Sequence, residues 1–490
     1  MDISTNRALS QGDEPPIWFL LRATRAAKVG CISINFCLTF SPLRSSFERT
    51  ALPPAPSHVM QRFWYNIYNG IAIPIFWIVF RSLSLFNPKI RRGIRGRTGL
   101  FERLEENVGK LKRKRRIWFH SSSLGEFEQA KPIIAALRKK FSNLDIIVTF
   151  FSPSGYEHSK NYKLADLIAY IPFDSASNAR RFLDLVRPDV AVIVRYDAWP
   201  NHVWELRKRN VPIFIANATL RANSARLWWP FKSFHKTVYQ SLTSILTVSN
   251  EDAASFNRFN LKATEIRVVG ETRYDQVRQR SDEARRKHPI PPSLLKRKSV
   301  LVVGSSWEED EEVVLPAFRK MNRHDSGALM ILVPHEPTVE TIERLEVQIA
   351  YLGLRAIRFS DLNDFSNEQV IIVDSVGVLM ALYQYADVAF VGGSFKQGIH
   401  NVLEPAVYGI PVMYGPEHEK SREAIQLAAR GGGIVVHDQA ECHARLHEMF
   451  ANPQLRIKTG AVAFEMVKEN VGATKRFLGY LNPILDGHKS

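Results

Sequence analysis

The stretch Ile117-Trp-Phe-His120-Ser-Ser-Ser-Leu-Gly-Glu126 begins a long series in which short apolar runs alternate with amphipathic segments. Each apolar run fits a strand that is buried on both faces, and the amphipathic residues 128–140 fit a helix that covers the sheet. The same series continues with a helical segment at 176–186 and runs at 145–150, 167–171, 190–194, 211–216 and 244–248. Buried runs separated by helices predict a parallel, doubly wound sheet.

A second series repeats this rhythm in the C-terminal half of the chain. Its runs lie at 299–303, 329–333, 369–373, 388–391, 412–414 and 433–436. The charged residues 276–298 between the two series contain Ile290-Pro-Pro292 and predict a linker between domains. We therefore expect two Rossmann-like lobes, residues 117–275 and 299–490, that face a central cleft where ligands bind at the carboxyl ends of the strands.

Positive charge is concentrated near the N-terminus. Lys and Arg exceed Asp and Glu by 17 over the 490 residues, and residues 87–116 hold twelve basic residues against three acids. This basic segment follows an apolar stretch that carries Trp64, Tyr65 and Trp77. Apolar residues followed by basic ones are typical of a membrane anchor whose C-terminal side stays in the cytoplasm.

The predicted anchor comprises residues 60–86. Asn66, Asn69 and Pro74 interrupt its apolar run, so a helix lying in the membrane interface fits about as well as a spanning one. Nucleic-acid binding would also explain the charge, but aromatic residues are not interleaved with the basic cluster, and no nucleic-acid partner is expected. Residues 1–59 carry no motif, and we interpret them as a disordered or mis-annotated extension ahead of a start at Met60.

The chain has three cysteines and no paired framework, which favours a reducing compartment. It also contains no Asp-x-Asp motif, so we expect phosphate binding without a metal ion and without a further cofactor. Lys396, His400 and helix dipoles would then supply the positive charge.

The polar loop His120–Glu126 lies between the first predicted strand and the first predicted helix. Such a loop can present backbone N–H groups and one carboxylate to a ligand. The structural alternative is a capping box, with Ser122 or Ser123 as the N-cap and Glu126 closing the box.

A second polar loop, Arg195-Tyr-Asp-Ala-Trp-Pro-Asn201, follows another buried run. Arg195 and Asp197 would be costly inside a core, so they are expected to face the cleft. An ion pair within the protein explains them equally well.

The third loop, Gly392-Gly-Ser394 to Glu404-Pro405, is the most specific of the three. The two glycines let backbone approach a ligand closely, and a helix beginning near Asn401 would offer N–H groups to a phosphate. Glu404 could then accept hydrogen bonds from two vicinal ribose hydroxyls.

Together these motifs resemble the 3-deoxy-D-manno-octulosonic acid (Kdo) transferases of lipopolysaccharide assembly, from about Met60 to the C-terminus. The resemblance rests on the loop that ends at Glu126, on Trp199-Pro-Asn201, on Asn217-Ala-x-Leu-x-x-x-Ser224-Ala-Arg226, and on residues 392–405.

The resemblance implies a GT-B fold, CMP-Kdo as the donor, a lipid A precursor as the acceptor and an inverting displacement at the cytoplasmic face of the bacterial inner membrane. It also implies that residues 117–275 bind the acceptor, that residues 299–490 bind the donor, and that Glu126 is the catalytic base rather than a helix cap. The implied donor contacts are Pro334, His335, Val376, Gly377, Val378, Ser394, Asn401, Val402, Leu403 and Glu404. Arg195 and Arg273 are expected to stabilise the growing negative charge.

Several positions depart from the common pattern of the family. Arg195 stands where many members have Glu, which reverses a charge, whereas Arg273 replaces a Lys and keeps it. His335 replaces an Arg, and Val378 replaces the Glu of a Met-Gly-Glu loop. Two other functions remain open: a nucleotide-sugar epimerase of the same fold, which would need no lipid acceptor, and a non-catalytic membrane-binding scaffold, which would bind no nucleotide.

Overall fold

The computed structural model describes residues 58–112, 115–324 and 327–486. These residues form two compact units. The N-unit comprises the described residues up to 272 together with those from 473 onward, and the C-unit comprises the described residues from 273 to 472.

The N-unit is a parallel sheet with helices on both faces. Its strands are β1 (Arg115–Ser121), β2 (Leu144–Phe150), β3 (Leu167–Tyr170), β4 (Val190–Val194), β5 (Ile213–Ala218), β6 (Ser244–Thr247) and β7 (Glu265–Val268). Its helices are α1 (His58–Ile67), α2 (Ile73–Phe86), α3 (Pro88–Gly96), α4 (Leu100–Gly109), α5 (Leu124–Lys140), α6 (Pro153–Ser159), α7 (Ala176–Val186), α8 (Pro200–Lys208), α9 (Phe231–Tyr239) and α10 (Asn250–Asn257). The strand order is β3-β2-β1-β4-β5-β6-β7.

The C-unit repeats this architecture. Its strands are β8 (Ser299–Ser306), β9 (Ala328–Pro334), β10 (Ala356–Arg358), β11 (Val370–Ile372), β12 (Val388–Val391), β13 (Val412–Tyr414) and β14 (Gly433–Val435). Its helices are α11 (Thr272–Ala284), α12 (Glu308–His324), α13 (Val339–Tyr351), α14 (Leu379–Leu382), α15 (Leu403–Ala406), α16 (Arg422–Arg430), α17 (Gln439–Ala451) and α18 (Pro453–Asn470). The strand order is β10-β11-β9-β8-β12-β13-β14.

The strand order reverses between β1 and β4 in the N-unit and between β8 and β12 in the C-unit. In parallel α/β sheets such a reversal opens a crevice at the carboxyl ends of the two strands, where ligands bind. We call these two places the switch points. The loops that follow β1, β4 and β12 are the three polar loops singled out by the sequence.

Each apolar run of the two series overlaps a strand, so the predicted α/β class is confirmed. The strands β7 and β10 were not predicted. Both lie at the edge of their sheet and are partly exposed, so they lack the continuous apolar run of a strand buried on both faces.

Two predicted domain boundaries differ from the structure. Residues 276–298 are not a simple linker, because α11 continues to Ala284 and buries Tyr274 and Val277, while Ile290 is buried further on. The C-terminal helix α19 (Ala473–Asp486) belongs to the N-unit rather than to the C-terminal domain. Its apolar stripe Phe477, Leu481 and Leu485 packs in the N-unit core.

The predicted anchor is a nearly continuous helix, in which a π-helical turn at Tyr68–Ala72 joins α1 to α2. Val59–Phe86, a span of 28 residues, is long and apolar enough to cross a membrane by length and composition. One face nevertheless packs on the N-unit: Tyr68 is buried and donates a 2.9 Å hydrogen bond to Asp174, and Phe80 packs on Phe173. The opposite face exposes apolar side chains, namely Phe63, Ile71, Ile75, Trp77, Ile78 and Phe86.

The basic segment is folded where the structure describes it. Leu100 and Leu104 of α4 are buried in the N-unit core. Arg97 donates 2.8 Å hydrogen bonds to the carbonyl oxygens of Ile171 and Phe151, and burial lowers its pKa to about 9. Part of the positive run is therefore structural. Arg113 and Lys114, like residues 1–57 of the predicted extension, lie outside the described residues.

Candidate active site

Glu126 lies at the N-unit switch point, in the first turn of α5. Its side chain is buried, and its Oε2 accepts a 2.5 Å hydrogen bond from the backbone N–H of Ser122. Burial and the nearby Asp197 raise the pKa of Glu126 to about 8, while Arg195 and the N–H groups of Ser122 and Ser123 act in the opposite direction. A carboxyl group with this pKa can exchange protons near neutral pH.

The capping-box alternative is half realised. Glu126 accepts from the chain at the start of α5, as the glutamate of a capping box does. The N-cap Ser123, in contrast, makes no side-chain capping bond among the described residues. The carboxylate therefore has a local structural role, and that role neither requires nor excludes catalysis.

Asp197 and Arg195 follow β4, on the other side of the same switch point. Asp197 is buried and accepts hydrogen bonds from His120 Nε2 at 3.0 Å and from Trp199 Nε1 at 3.1 Å. Arg195 has a left-handed backbone, with φ of 65°, and its buried Nε has no hydrogen-bond partner in the described part of the chain. A strained residue with an unsatisfied donor is typical of a functional site.

A series of buried hydrogen bonds connects Asp197 to Trp118 through His120 and Thr149. The Trp118 indole N–H donates to Thr149 Oγ1 at 2.8 Å, and Thr149 Oγ1 lies 2.9 Å from His120 Nδ1. If Thr149 donates to Nδ1, neutral His120 carries its proton on Nε2 and donates it to Asp197. The sequence analysis named His120 only as the start of a loop, and the pairing of strands β1, β2 and β4 was needed to bring this chain together.

The C-unit switch point contains a stack of three rings: Trp307, His335 and His400. The centroids of Trp307 and His335 are 4.6 Å apart, those of His335 and His400 are 4.5 Å apart, and Trp307 Nε1 lies 3.1 Å from His400 Nε2. Burial and the neighbouring His335 lower the pKa of His400 to about 4, so His400 is neutral at pH 7 and does not provide the expected positive charge. His335 is exposed. Trp307 was missed by the sequence analysis, although it follows β8 as the Glu126 loop follows β1.

Backbone crowding explains the two glycines next to the ring stack. A Cβ at Gly392 would lie 2.3 Å from the carbonyl oxygen of Ser305, and Gly393 has a φ of 79°. The Gly393 N–H donates to Asp310 Oδ2 at 2.6 Å. The turn is therefore held by a buried carboxylate of the C-unit itself.

The segment from Ser394 to Glu404 differs from the expected phosphate cradle. Ser394 is buried, and its hydroxyl donates to the Val391 carbonyl and accepts from the Gly415 N–H. The expected helix near Asn401 is the single turn α15. Val402 and Leu403 are buried, so only their backbone is a candidate for ligand contact.

Glu404 is partly exposed and already has polar neighbours. Its Oε1 lies 3.6 Å from Arg280 Nη1 and 3.4 Å from Asn401 Nδ2. A ligand hydroxyl would have to compete with these groups for the carboxylate.

The remaining predicted residues lie on nearby loops of the C-unit. Pro334 ends β9 beside His335. Val376 and Gly377 are exposed in a turn where Gly377 has a φ of 80°, and Val378 packs against the C-unit core. Arg273 belongs to the C-unit, where its Nη2 binds Glu423 Oε1 at 2.5 Å. The structure thus places Arg273 in a different unit from Glu126 and Arg195 and pairs its charge. Among the described residues there is no group of three His, Cys, Asp or Glu suited to hold a metal ion.

Sequence comparison connects this site to known proteins. Residues 94–276 match the family 3-Deoxy-D-manno-octulosonic-acid transferase (kdotransferase). The 3-deoxy-D-manno-octulosonic acid transferase of Haemophilus influenzae is 29% identical over 436 residues, which cover 87% of this chain and 99% of that protein. The enzyme of the same name from Aquifex aeolicus is 27% identical over 338 residues, or 68% of this chain and 86% of that protein.

Structural comparison agrees on the fold. A UDP-N-acetylglucosamine 2-epimerase aligns over 78% of this chain and 98% of its own, with a TM-score of 0.52 and 13% identity. At that identity the likeness shows the fold alone, which is the two-sheet α/β arrangement of GT-B enzymes. Residues 94–276 thus match a Kdo transferase family, and over most of its length the chain is similar to glycosyltransferases named 3-deoxy-D-manno-octulosonic acid transferase.

Proposed function

We propose that this transferase moves Kdo from CMP-Kdo to a sugar hydroxyl of a lipid A precursor, with inversion at the anomeric carbon. The observation that carries the proposal is the buried Glu126 at the N-unit switch point, whose pKa is raised to about 8. Perturbed carboxyl groups in a crevice are characteristic of acid–base catalysis.

Glu126 is the base in this mechanism. The acceptor hydroxyl gives its proton to the ionised carboxylate of Glu126, its oxygen attacks the anomeric carbon of Kdo, and CMP leaves with the bonding electrons. With a pKa of about 8, roughly one tenth of the Glu126 carboxyl groups are ionised at pH 7. The raised pKa also makes the ionised carboxylate a stronger base than an ordinary glutamate. Arg195 favours the ionised form.

Arg195 also fits the proposed stabilisation of negative charge, because its Nε is available for a new hydrogen bond. Arg273 would contribute its charge to the donor only by giving up its bond to Glu423. We therefore assign the larger electrostatic effect to Arg195.

The donor nucleotide is assigned to the C-unit switch point. His335 is exposed beside Trp307 and His400, and the carboxylate of Glu404 would accept hydrogen bonds from ribose hydroxyls in place of its present neighbours. We propose that binding needs no metal ion.

The N-terminal helix is proposed to lie in the cytoplasmic interface of the inner membrane rather than to span it. A helix that packs one face along a folded unit and exposes apolar side chains on the other has the arrangement of an interfacial helix. Lys89, Arg92 and Arg95, which are exposed on α3 directly after this helix, would attract anionic lipids and a phosphorylated acceptor.

The direct test is to incubate the purified protein with CMP-Kdo and a tetra-acylated lipid A precursor and to weigh the lipid product by mass spectrometry. We expect the mass of the acceptor to rise by one or more Kdo residues while CMP is released. CMP release without a heavier lipid would contradict the proposed acceptor, and the absence of both would contradict the proposed donor.

A further inference from the structure

The N-unit contains a cavity of about 260 Å³ that no sequence motif indicated. It lies between the N-terminal helix, the loop after β4, and α9. Ile67 and Ala72 line it from the helix, and Phe231 and Phe234 line it from α9.

The wall of this cavity is apolar even where its residues carry polar atoms. The Tyr68 hydroxyl donates to Asp174 and the Trp64 indole N–H donates to Ser233 at 3.1 Å, so these rings offer their faces rather than their polar groups. Burial, aided by the charge of Arg226, lowers the pKa of His235 far below its usual value, which leaves its ring uncharged at pH 7.

One end of the cavity reaches the candidate active site. Asp197 and Trp199 are among its lining residues, and Asp197 is the carboxylate that raises the pKa of Glu126. Arg226, also a lining residue, is buried, and its guanidinium carbon lies 5.1 Å from the centroid of the Tyr196 ring. An apolar group in the cavity would thus be attached to a polar group close to the proposed base.

Exposed apolar residues neighbour several of the lining residues along the chain. Phe63, Ile71 and Trp229 directly precede the lining residues Trp64, Ala72 and Pro230, and they are 51%, 56% and 86% exposed. Exposed apolar patches of this kind mark contact with a membrane or another apolar partner.

The volume fits part of such a chain. Engineered apolar cavities of about 150 Å³ remain dry and bind benzene, and a water-sized group occupies about 30 Å³. A methylene group is of similar size, so 260 Å³ would accommodate roughly eight or nine methylene groups.

We propose that this cavity holds one acyl chain of the lipid acceptor and so positions the acceptor sugar beside Glu126. The assignment rests on the proposed function, because a lipid acceptor brings its acyl chain and its attacking hydroxyl in one molecule. A bilayer lipid has the same hydrocarbon chains, but it lacks the acceptor sugar that would lie beside Asp197 at the end of the cavity.

Two kinds of measurement test the assignment. Ala72→Phe and Ile67→Trp add side-chain volume to the cavity from two positions, and Ala254→Phe adds the same bulk to the exposed surface of α10 as a control. Binding of decanoate below its micelle concentration is titrated calorimetrically to each protein. Transfer is compared between a tetra-acylated acceptor and the same acceptor after chemical removal of its acyl chains.

We expect wild type and Ala254→Phe to bind decanoate and to prefer the acylated acceptor. Both cavity variants should lose decanoate binding, and their KM for the acylated acceptor should rise on the order of tenfold toward that of the deacylated one. CMP titration of the same proteins verifies that the C-unit is intact, and thermal melting verifies the N-unit.

Unchanged decanoate binding and acceptor preference in both folded variants would overturn the proposal. Loss of decanoate binding with an unchanged acceptor preference would show that the cavity takes bilayer lipid instead, and would overturn it as well. If wild type transfers Kdo to neither acceptor but binds CMP-Kdo, the proposed acceptor is wrong, and the acyl-chain assignment falls with it even if decanoate binds.

Discussion

The two sheets reverse their strand order in the same way, yet their switch points present different chemistry. The N-unit brings a buried carboxyl with a raised pKa, a second carboxylate and a strained arginine to the ends of β1 and β4. The C-unit brings a glycine turn and three stacked rings to the ends of β8, β9 and β12. One fold used twice thus has ionisable groups at one switch point and a glycine turn with stacked rings at the other.

The largest effect is expected from Glu126→Gln, which tests whether the N-unit switch point supplies the base. Gln keeps the volume of the side chain and can still accept from the Ser122 N–H, but it cannot take a proton from the acceptor. We expect kcat to fall by about 10² to 10⁴, with CMP affinity unchanged. Steady-state kinetics and CMP titration measure the two effects.

Thermal melting below pH 4.5 is the control, because Glu126 then keeps its proton in the folded and in the unfolded chain, and the two side chains are uncharged in both states. The melting temperatures should be similar. A folded variant that keeps more than about a tenth of the wild-type kcat lies above the range for loss of a general base, and it would restore the capping role as the whole function of Glu126.

Glu404→Ala addresses the other side of the comparison. If Glu404 binds two ribose hydroxyls, its removal costs about 1.5 to 3 kcal/mol per hydrogen bond to the charged carboxylate, and CMP and CMP-Kdo should bind more weakly. Both KM and kcat/KM should worsen. Isothermal titration with CMP gives the binding effect without chemistry.

Arg280→Gln is the matched variant, because it removes the neighbour of Glu404 and leaves the carboxylate in place. Exposed ion pairs contribute about 0 to 1 kcal/mol, so CMP binding should stay close to wild type or improve. Unchanged CMP affinity in Glu404→Ala would move the ribose site away from α15.

The sequence predicted the central strands and the positions of the three loops. It did not predict how side chains within those loops contact residues from other parts of the chain. Strands β1 and β4 are buried on both faces, so their apolar runs were visible, and the polar loops after them followed directly. The roles of Ser394 and His400 could not be read in this way. Burial of the Ser394 hydroxyl and the stacking of His400 depend on Gly415, His335 and Trp307, which are far apart in the sequence.

The same reason explains the errors at the boundaries. The apolar stripe of α19 predicts a helix that packs on the protein, but it does not identify the unit on which the helix packs. The amino-acid composition does not change at the point where the chain returns to the N-unit. Tyr68 and Phe80 likewise look like anchor residues, although they pack on the N-unit. A chain that begins at Lys110 would therefore lack Tyr68, Leu100 and Leu104 of the N-unit core, and we expect it to be destabilised.

The smallest expected effect is on the pH dependence of kcat/KM, and it identifies the group in the N-unit that titrates. Wild-type kcat/KM should rise with pH through an inflection near pH 8, where half of the Glu126 groups are ionised, and level off above it. Arg195 lowers and Asp197 raises the pKa of Glu126, so Arg195→Gln should move the inflection to higher pH and Asp197→Asn should move it to lower pH. Arg195→Lys keeps the charge and should leave the inflection closer to wild type.

Stability provides a readout of the same proton without substrate. The folded protein holds the Glu126 proton up to a pKa of about 8, whereas the unfolded chain releases it near the ordinary value of 4.5. The stabilisation is therefore complete below pH 4.5 and is lost as the pH rises toward 8. The Gln side chain would not titrate, so the melting temperature of Glu126→Gln should rise relative to that of wild type as the pH increases from 5 to 8. If the two melting curves shift in parallel with pH, or if the Arg195 and Asp197 variants move the kinetic inflection in the same direction, another group titrates and Glu126 is not the base.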